Sequence, residues 1–307
     1  VWASSARGAQ PATEPPQWIA ADRDADELVA LDSALLVTVH VPIEAPIEVA
    51  LANQGRIWAA CATAAGPGGA HVLRRTNLAG TIDLQLPIGP LFDLAPYGDG
   101  GALVVAGLPG GQREATLVHN DGTWRVLATA PDLMAICARA GQVLVAGEHG
   151  SLALYEPRVS RLATAQRDLG GMLADVAPGP SDGTWWVLDV AGSVSAHRLL
   201  LVRADLSTVW QRSIGLNALH LAPVRGEERV WLADGEGNFA RRFGPQGVLE
   251  VSYAPLSMSG CDRGVATSDG GVVFAAPGAL VALDTHGAAR PGQGGFNFLV
   301  DLAQRGE

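Results

Sequence analysis

One phrase recurs along this chain: a short apolar strand, a Gly/Asp turn, a second strand often carrying Trp, a variable loop, and a third strand ending in a turn. The copies start at Gln17, Gly55, Gly101, Gly141, Thr184, Arg229 and Gly271, and RVWLADGEGNFARRFGPQG from Arg229 is the clearest. Placed in register, Trp18, Trp58, Val104, Leu144, Trp186, Trp231 and Val273 form one column, separated by 40, 46, 40, 42, 45 and 42 residues. Self-similarity at this period means stacked units, each unable to bury its apolar face alone. Long helices have no room between such closely spaced turns.

Two residues beyond that column stand Ala20, Ala60, Ala106, Ala146, Leu188, Ala233 and Ala275. A large residue followed by a small one suits a wedge, because sheets radiating from an axis approach most closely near the centre. The expected architecture is therefore all-β, a seven-bladed β-propeller. An inner strand precedes each Trp-column strand: IEVAL from Ile47, FDLAP from Phe92, AICA from Ala135, ADVAP from Ala174, LHLAP from Leu219, GVA from Gly264 and VDLAQ from Val300. The last has no second strand after it, while the strand at Trp18 has no inner strand before it. Pairing the two ends closes the ring and removes two exposed sheet edges. Residues 17–307 are thus expected to form one propeller domain, preceded by a polar arm over 1–16. Fourth strands such as LVTVHV, IDLQL, WRVLA and LEVSY complete most blades; DTHGAARPGQGG in the seventh is too rich in Gly and Pro for a good one.

Composition narrows the partners. The chain has 307 residues, 17% of them charged, and a formal charge of −10. It contains no Lys, so the broad basic face that a phosphate backbone requires is missing, and nucleic acid is excluded as the expected partner. No run of about 18 apolar residues offers a transmembrane segment. Cys61, Cys137 and Cys261 form neither a disulfide framework nor a C-x-x-C metal pattern. A first residue other than Met means that something upstream was removed, by processing or by design of the expressed chain; a lost signal peptide would imply a periplasmic or secreted location, with the cytoplasm as the alternative.

The phrase VWLADGEGNFARRFGPQG resembles the NHL repeat, and LFDLAPYGDGGALVVAG resembles related YVTN-like bacterial propeller repeats. The likeness runs from Gln17 to Gln304 and is architectural. It implies a fold shared by scaffolds, receptors, lyases and lactonases, and so does not choose a chemistry. Gluconolactonase-like propellers use channel-facing acid and Asn ligands from different blades; here the inner strands lack a matching Asn, with Asn217 and Asn297 displaced. Streptogramin-lyase-like propellers use a histidine beside a metal, which the resemblance would assign to His220.

Read from the residues themselves, the inner strands place Glu48, Asp93, Asp175, His220 and Asp301 at equivalent positions, interrupted by Ile136 and Gly264. Such a ring facing one channel could hold a divalent cation, calcium or another, with Asp93, Asp175 and His220 as the metal ligands. The alternative, favoured because the motif repeats in most blades, is that each acid accepts hydrogen bonds from backbone N–H groups of a neighbouring loop. The long connections at AACATAAGPGGAHV, PGGQREA and DVAGSVSAHRL lie on one blade edge and could form a binding rim. Arg74 with Arg75, and Arg241 with Arg242, are adjacent pairs in equivalent third strands, read as inter-blade salt bridges. No nucleophile elbow, H-E-x-x-H helix or phosphate loop is present. These readings favour a non-catalytic scaffold or binding protein that presents loops to a protein or ligand partner, as a subunit of an extracytoplasmic assembly. The rival is a metal-dependent hydrolase or lyase centred on the channel ring.

Overall fold

A computed structural model describes residues 17–52, 55–63, 69–98, 100–234, 239–253, 263–290, 294–297 and 299–304. The expected arm over 1–16 and Cys261 lie outside the described residues. Within them, seven four-stranded antiparallel sheets follow one another around a ring. The fold is a seven-bladed β-propeller.

Closure occurs where the sequence placed it. The C-terminal strand Leu299–Gln304 pairs antiparallel with Trp18–Asp22, matching Trp18 to Gln304 and Ala21 to Asp301. It thereby becomes the innermost strand of the first blade, whose other strands are Glu27–Leu31 and Val37–Pro42. The seventh blade does have a fourth strand, but Ala289–Arg290 is only two residues long. Gly287 and the Gly/Pro-rich stretch allow no more than that brief pairing with Ala282 and Leu283.

Every second strand is buried on both faces, so each blade packs its neighbours through alternating side chains. Ile19 and Ala21 face the second blade, Trp58 and Ala60 the third, Leu103 and Val105 the fourth, and Leu144 and Ala146 the fifth. Trp186 with Leu188, Trp231 with Ala233, and Val273 with Ala275 continue the series. This corrects the sequence register by one residue in two blades. Trp18 instead faces back towards Val273 of the seventh blade, and Val104 back towards Trp58 of the second. With apolar residues on both faces, adjacent positions such as Leu103 and Val104 cannot be told apart by periodicity alone.

Two blades repeat a polar fastening. The Trp58 indole N–H donates to the Gly100 carbonyl of the next blade at 2.9 Å, and Trp231 donates to Gly270 at 3.1 Å. Arg75 lies over the Trp58 ring at 5.5 Å, and Arg242 over Trp231 at 5.4 Å. Arg75 then reaches Asn120 Oδ1 at 2.9 Å, while Arg242 reaches the Gly270 carbonyl at 3.3 Å. Their companions behave differently: Arg74 meets Glu44 at 3.5 Å, and Arg241 donates back to the Ile214 carbonyl at 3.1 Å. The paired arginines therefore link blades, chiefly through carbonyl and amide acceptors.

Candidate functional site: the polar ring of the channel

The register of each inner strand against its second strand defines one level of the hub. Asp301 pairs with Ala21, Glu48 with Ala60, Asp93 with Val105, Ala135 with Ala146, and Asp175 with Leu188. His220 precedes the short strand Ala222–Pro223, whose Ala222 pairs with Trp231, so His220 falls opposite Ala233. In the seventh blade the Ala275 N–H donates to the Arg263 carbonyl at 3.0 Å. The level thus reads Asp, Glu, Asp, Ala, Asp, His, Arg around the ring. Ile136 and Gly264 are not its members: Ala135 and Arg263 are.

A local irregularity aims these side chains. In the first five blades the pairing register slips just before the ring residue, leaving Val300, Ile47, Phe92, Met134 and Ala174 as extra residues. A bulge of this kind bends the strand and redirects the following side chain. The result is a repeated reach into the next blade. Asp301 Oδ2 accepts from the Val49 N–H at 2.7 Å, Glu48 Oε1 from Leu94 at 3.1 Å, Asp93 Oδ2 from Ile136 at 2.7 Å, and Asp175 Oδ2 from Leu221 at 2.7 Å. Each donor is the residue directly after the neighbouring ring position. The acids serve inner strands, not loops. The fourth blade has only Ala135 to offer, and the following N–H, of Val176, is taken by its own neighbour Asp175 at 2.7 Å.

Arg263 supplies the counter-charge that the sequence reading missed. Its Nη2 lies 2.7 Å from Glu48 Oε1 and 3.6 Å from Asp93 Oδ1, and its Nε lies 3.9 Å from Asp301 Oδ1. One guanidinium from the seventh blade therefore serves acids of the first three. Burial works against its charge, but the Glu48, Asp301, Asp93 and Asp175 carboxylates outweigh it and raise its pKa further. A single cation cannot neutralise three buried carboxylates. Burial pushes Glu48 well above the ordinary carboxylate range, opposed by Arg263 and reinforced by Asp93 and Asp301. Burial likewise raises Asp93 and Asp301, again opposed by Arg263.

Asp175, whose charge still acts on Asp93 and Arg263, has His220 as its nearer partner. His220 Nδ1 is 3.7 Å from Asp175 Oδ2, beyond hydrogen-bond range and close enough only for an ion pair when the imidazole is charged. The expected metal ligands Asp93, Asp175 and His220 thus divide between two arrangements. Among the described residues, no group of three or more His, Cys, Asp or Glu side chains gathers where it could hold a metal ion. Three of the ring acids already face a guanidinium, and all four accept backbone N–H groups. Among the described residues, the counter-charge these acids meet is a guanidinium.

The ring residues pair near the C-terminal ends of the second strands, on the side that carries the connections into the third strands. Those connections include the stretches expected to form a rim. Residues 190–197 contain a single 3-10 turn, Val194–Ala196, and His197 beneath it is buried, its Nδ1 2.8 Å from the Leu216 carbonyl. Most of the connection between Ala62 and His71 lies outside the described residues.

No protein-family model matches the chain, and no curated protein matches it. Solved structures do. A functionally unknown protein from Desulfotomaculum acetoxidans DSM 771 aligns over 94% of this chain and 98% of its own, with a TM-score of 0.70 and 12% identity. Streptogramin B lyase aligns over 86% and 92%, with a TM-score of 0.64 and 13% identity. The WD40 β-propeller domain of Doa1 aligns over 83% and 84%, with a TM-score of 0.58 and 11% identity. At such identities the shared property is the fold. Function must come from the site.

Proposed function

We propose that this protein is a non-catalytic scaffold or binding protein, a rigid disc that presents its connecting loops to a protein partner. The observation that carries the reading is the state of the ring. Its four acids are engaged by backbone N–H groups of the next blades, and Arg263 answers three of them, so the best-placed polar groups of the channel hold blades together. The repeat phrases that resemble NHL and YVTN repeats support the same reading, since propellers of that kind include scaffolds and receptors. Recognition then belongs to the loops, as it commonly does on rigid frames. We propose an extracytoplasmic assembly as its setting; fractionation of the native cells checks this, and recovery of the chain from cytoplasm would overturn that part.

Metal analysis of the purified protein, followed by thermal-shift titration with calcium and zinc, tests the reading against a metal-dependent hydrolase or lyase. The scaffold account expects no stoichiometric metal and no stabilisation. A stoichiometric metal that disappears in Asp93→Asn and Asp175→Asn would instead establish the channel as a metal centre.

A further inference from the structure

Three connections meet at the channel-mouth end of the fifth blade: residues 169–172 lead into it, 190–197 join its second and third strands, and 214–221 lead out of it. Hydrogen bonds tie them into one platform. The Val190 N–H donates to the Met172 carbonyl at 2.7 Å, the Ile214 N–H to the His197 carbonyl at 3.0 Å, and the Ser213 hydroxyl to the Ser195 carbonyl at 2.7 Å. Beneath them, buried Asp189 accepts the Met172 and Ala191 N–H groups, each at 3.0 Å, and the Arg198 Nε at 2.8 Å. Loops fixed in this way lose little freedom when a partner lands on them. The outer surface of the platform is apolar. Met172, Val194 and Leu219, one from each connection, are 40%, 42% and 43% exposed, and the three stretches contain no Asp, Glu, Lys or Arg. Depletion of charge around exposed Met and aliphatic groups is what sets the core of a protein interface apart from ordinary surface.

The charge beside this platform is a carboxylate. Asp175 Oδ1 accepts from the Val176 N–H and its Oδ2 from the Leu221 N–H, both at 2.7 Å, and its side chain is 14% exposed. Two N–H donors leave acceptor capacity on a carboxylate. Arg263 contacts Glu48, Asp93 and Asp301, whereas the cation nearest to Asp175 among the described residues is His220 when its imidazole is charged. Arg198 and Arg241, which border the platform, are committed to Asp189 and to the Ile214 carbonyl. Four ring carboxylates against one guanidinium leave the mouth negative. We propose that the platform is the docking surface for a protein partner that covers Met172, Val194 and Leu219 and brings an arginine or lysine to Asp175. This rests on the scaffold reading and names where, and by what chemistry, its partner is held. The incoming cation forms a charge-assisted bond to Asp175, and its aliphatic stem lies on the apolar platform.

The test selects binders of the immobilised full chain from a phage-displayed library of random dodecapeptides. The expected winners carry Arg or Lys between apolar residues. Asp175→Asn should weaken the best of them about tenfold, and added salt should weaken binding to the parent more than to that variant. Leu219→Asn and Val194→Asn should each weaken it several-fold; both change exposed side chains, so they keep the test open if Asp175→Asn disturbs the fold. Val159→Asn, at an exposed position on the opposite side of the disc, should leave binding unchanged. The proposal is overturned if no peptide is enriched, if the enriched peptides are acidic, or if they bind the blade-five variants as they bind the parent. Any of these results leaves the scaffold reading to be decided by the metal analysis above.

Discussion

Arg263 Nη2 stands 2.7 Å from Glu48 Oε1, tying the seventh blade to the second across the hub. The contact skips the intervening blade, so it links parts of the ring that no sheet connects. Replacing Arg263 with Gln should leave Glu48, Asp93 and Asp301 without their cation. Breaking a buried pair costs about 3–5 kcal/mol. Because the Arg263 side chain is 26% exposed, solvent screening reduces the expected loss to about 2–3 kcal/mol. Equilibrium urea unfolding measures it; an unchanged midpoint would show that water screens the acids equally well.

Glu48 gives the hub a pH dependence of definite sign. Its folded pKa lies above its unfolded value, so the native state binds more protons than the unfolded state in the interval between them. The associated stability is complete below the unfolded pKa and is lost as pH rises through the folded one. Glu48→Gln, which keeps an oxygen acceptor for the Leu94 N–H, should remove this part of the dependence. The variant should therefore gain on the parent between pH 5 and pH 8. Parallel denaturant curves at both values check it, and a stability difference constant with pH would contradict the assignment.

The tryptophans should divide by their indole partners. Trp58→Phe and Trp231→Phe each lose a bond to a turn carbonyl, and should cost about 1–2 kcal/mol more than the lost ring area alone. The Trp186 indole N–H has no such partner among the described residues. Trp186→Phe should show only the packing loss. Thermal unfolding of the three variants separates these cases, and equal costs at all three would remove the fastening role from Trp58 and Trp231.

How much of this was legible in the sequence follows from what each level encodes. Blade number and closure were readable because Trp186, Trp231 and the unpaired VDLAQ phrase fix spacing and ends without needing face assignments. The ring was readable where an acid precedes an apolar pair, as at Asp93. It slipped at Ala135 because that residue and Ile136 are both buried, and a bulge at Met134 decides which faces the hub. Arg263 was missed because its strand is formally only Gly264–Ala266 and begins after it. The register of Val273 and Ala275, traced back across the hairpin, is the signal that would have found it.

Closure itself is exposed to a simple deletion. Removing residues 299–307 takes away the inner strand of the first blade and leaves Trp18–Asp22 as an open edge. The truncated chain should lose cooperative unfolding and elute from size-exclusion chromatography as aggregate. A soluble, cooperatively folded truncation would mean that the ring does not depend on this pairing.

The central claim is that the ring acids hold neighbouring blades together, and amide hydrogen exchange at Ile136 tests it most directly. Asp93→Ala removes the acceptor 2.7 Å from that nitrogen. It should lower global stability by about 1–3 kcal/mol, and accelerate exchange at Ile136 more than at Leu221, whose acceptor Asp175 remains. Asp93→Asn, which keeps an acceptor oxygen, should restore much of the protection. An Ile136 amide that exchanges as slowly in Asp93→Ala as in the parent protein, with stability unchanged, would contradict the account.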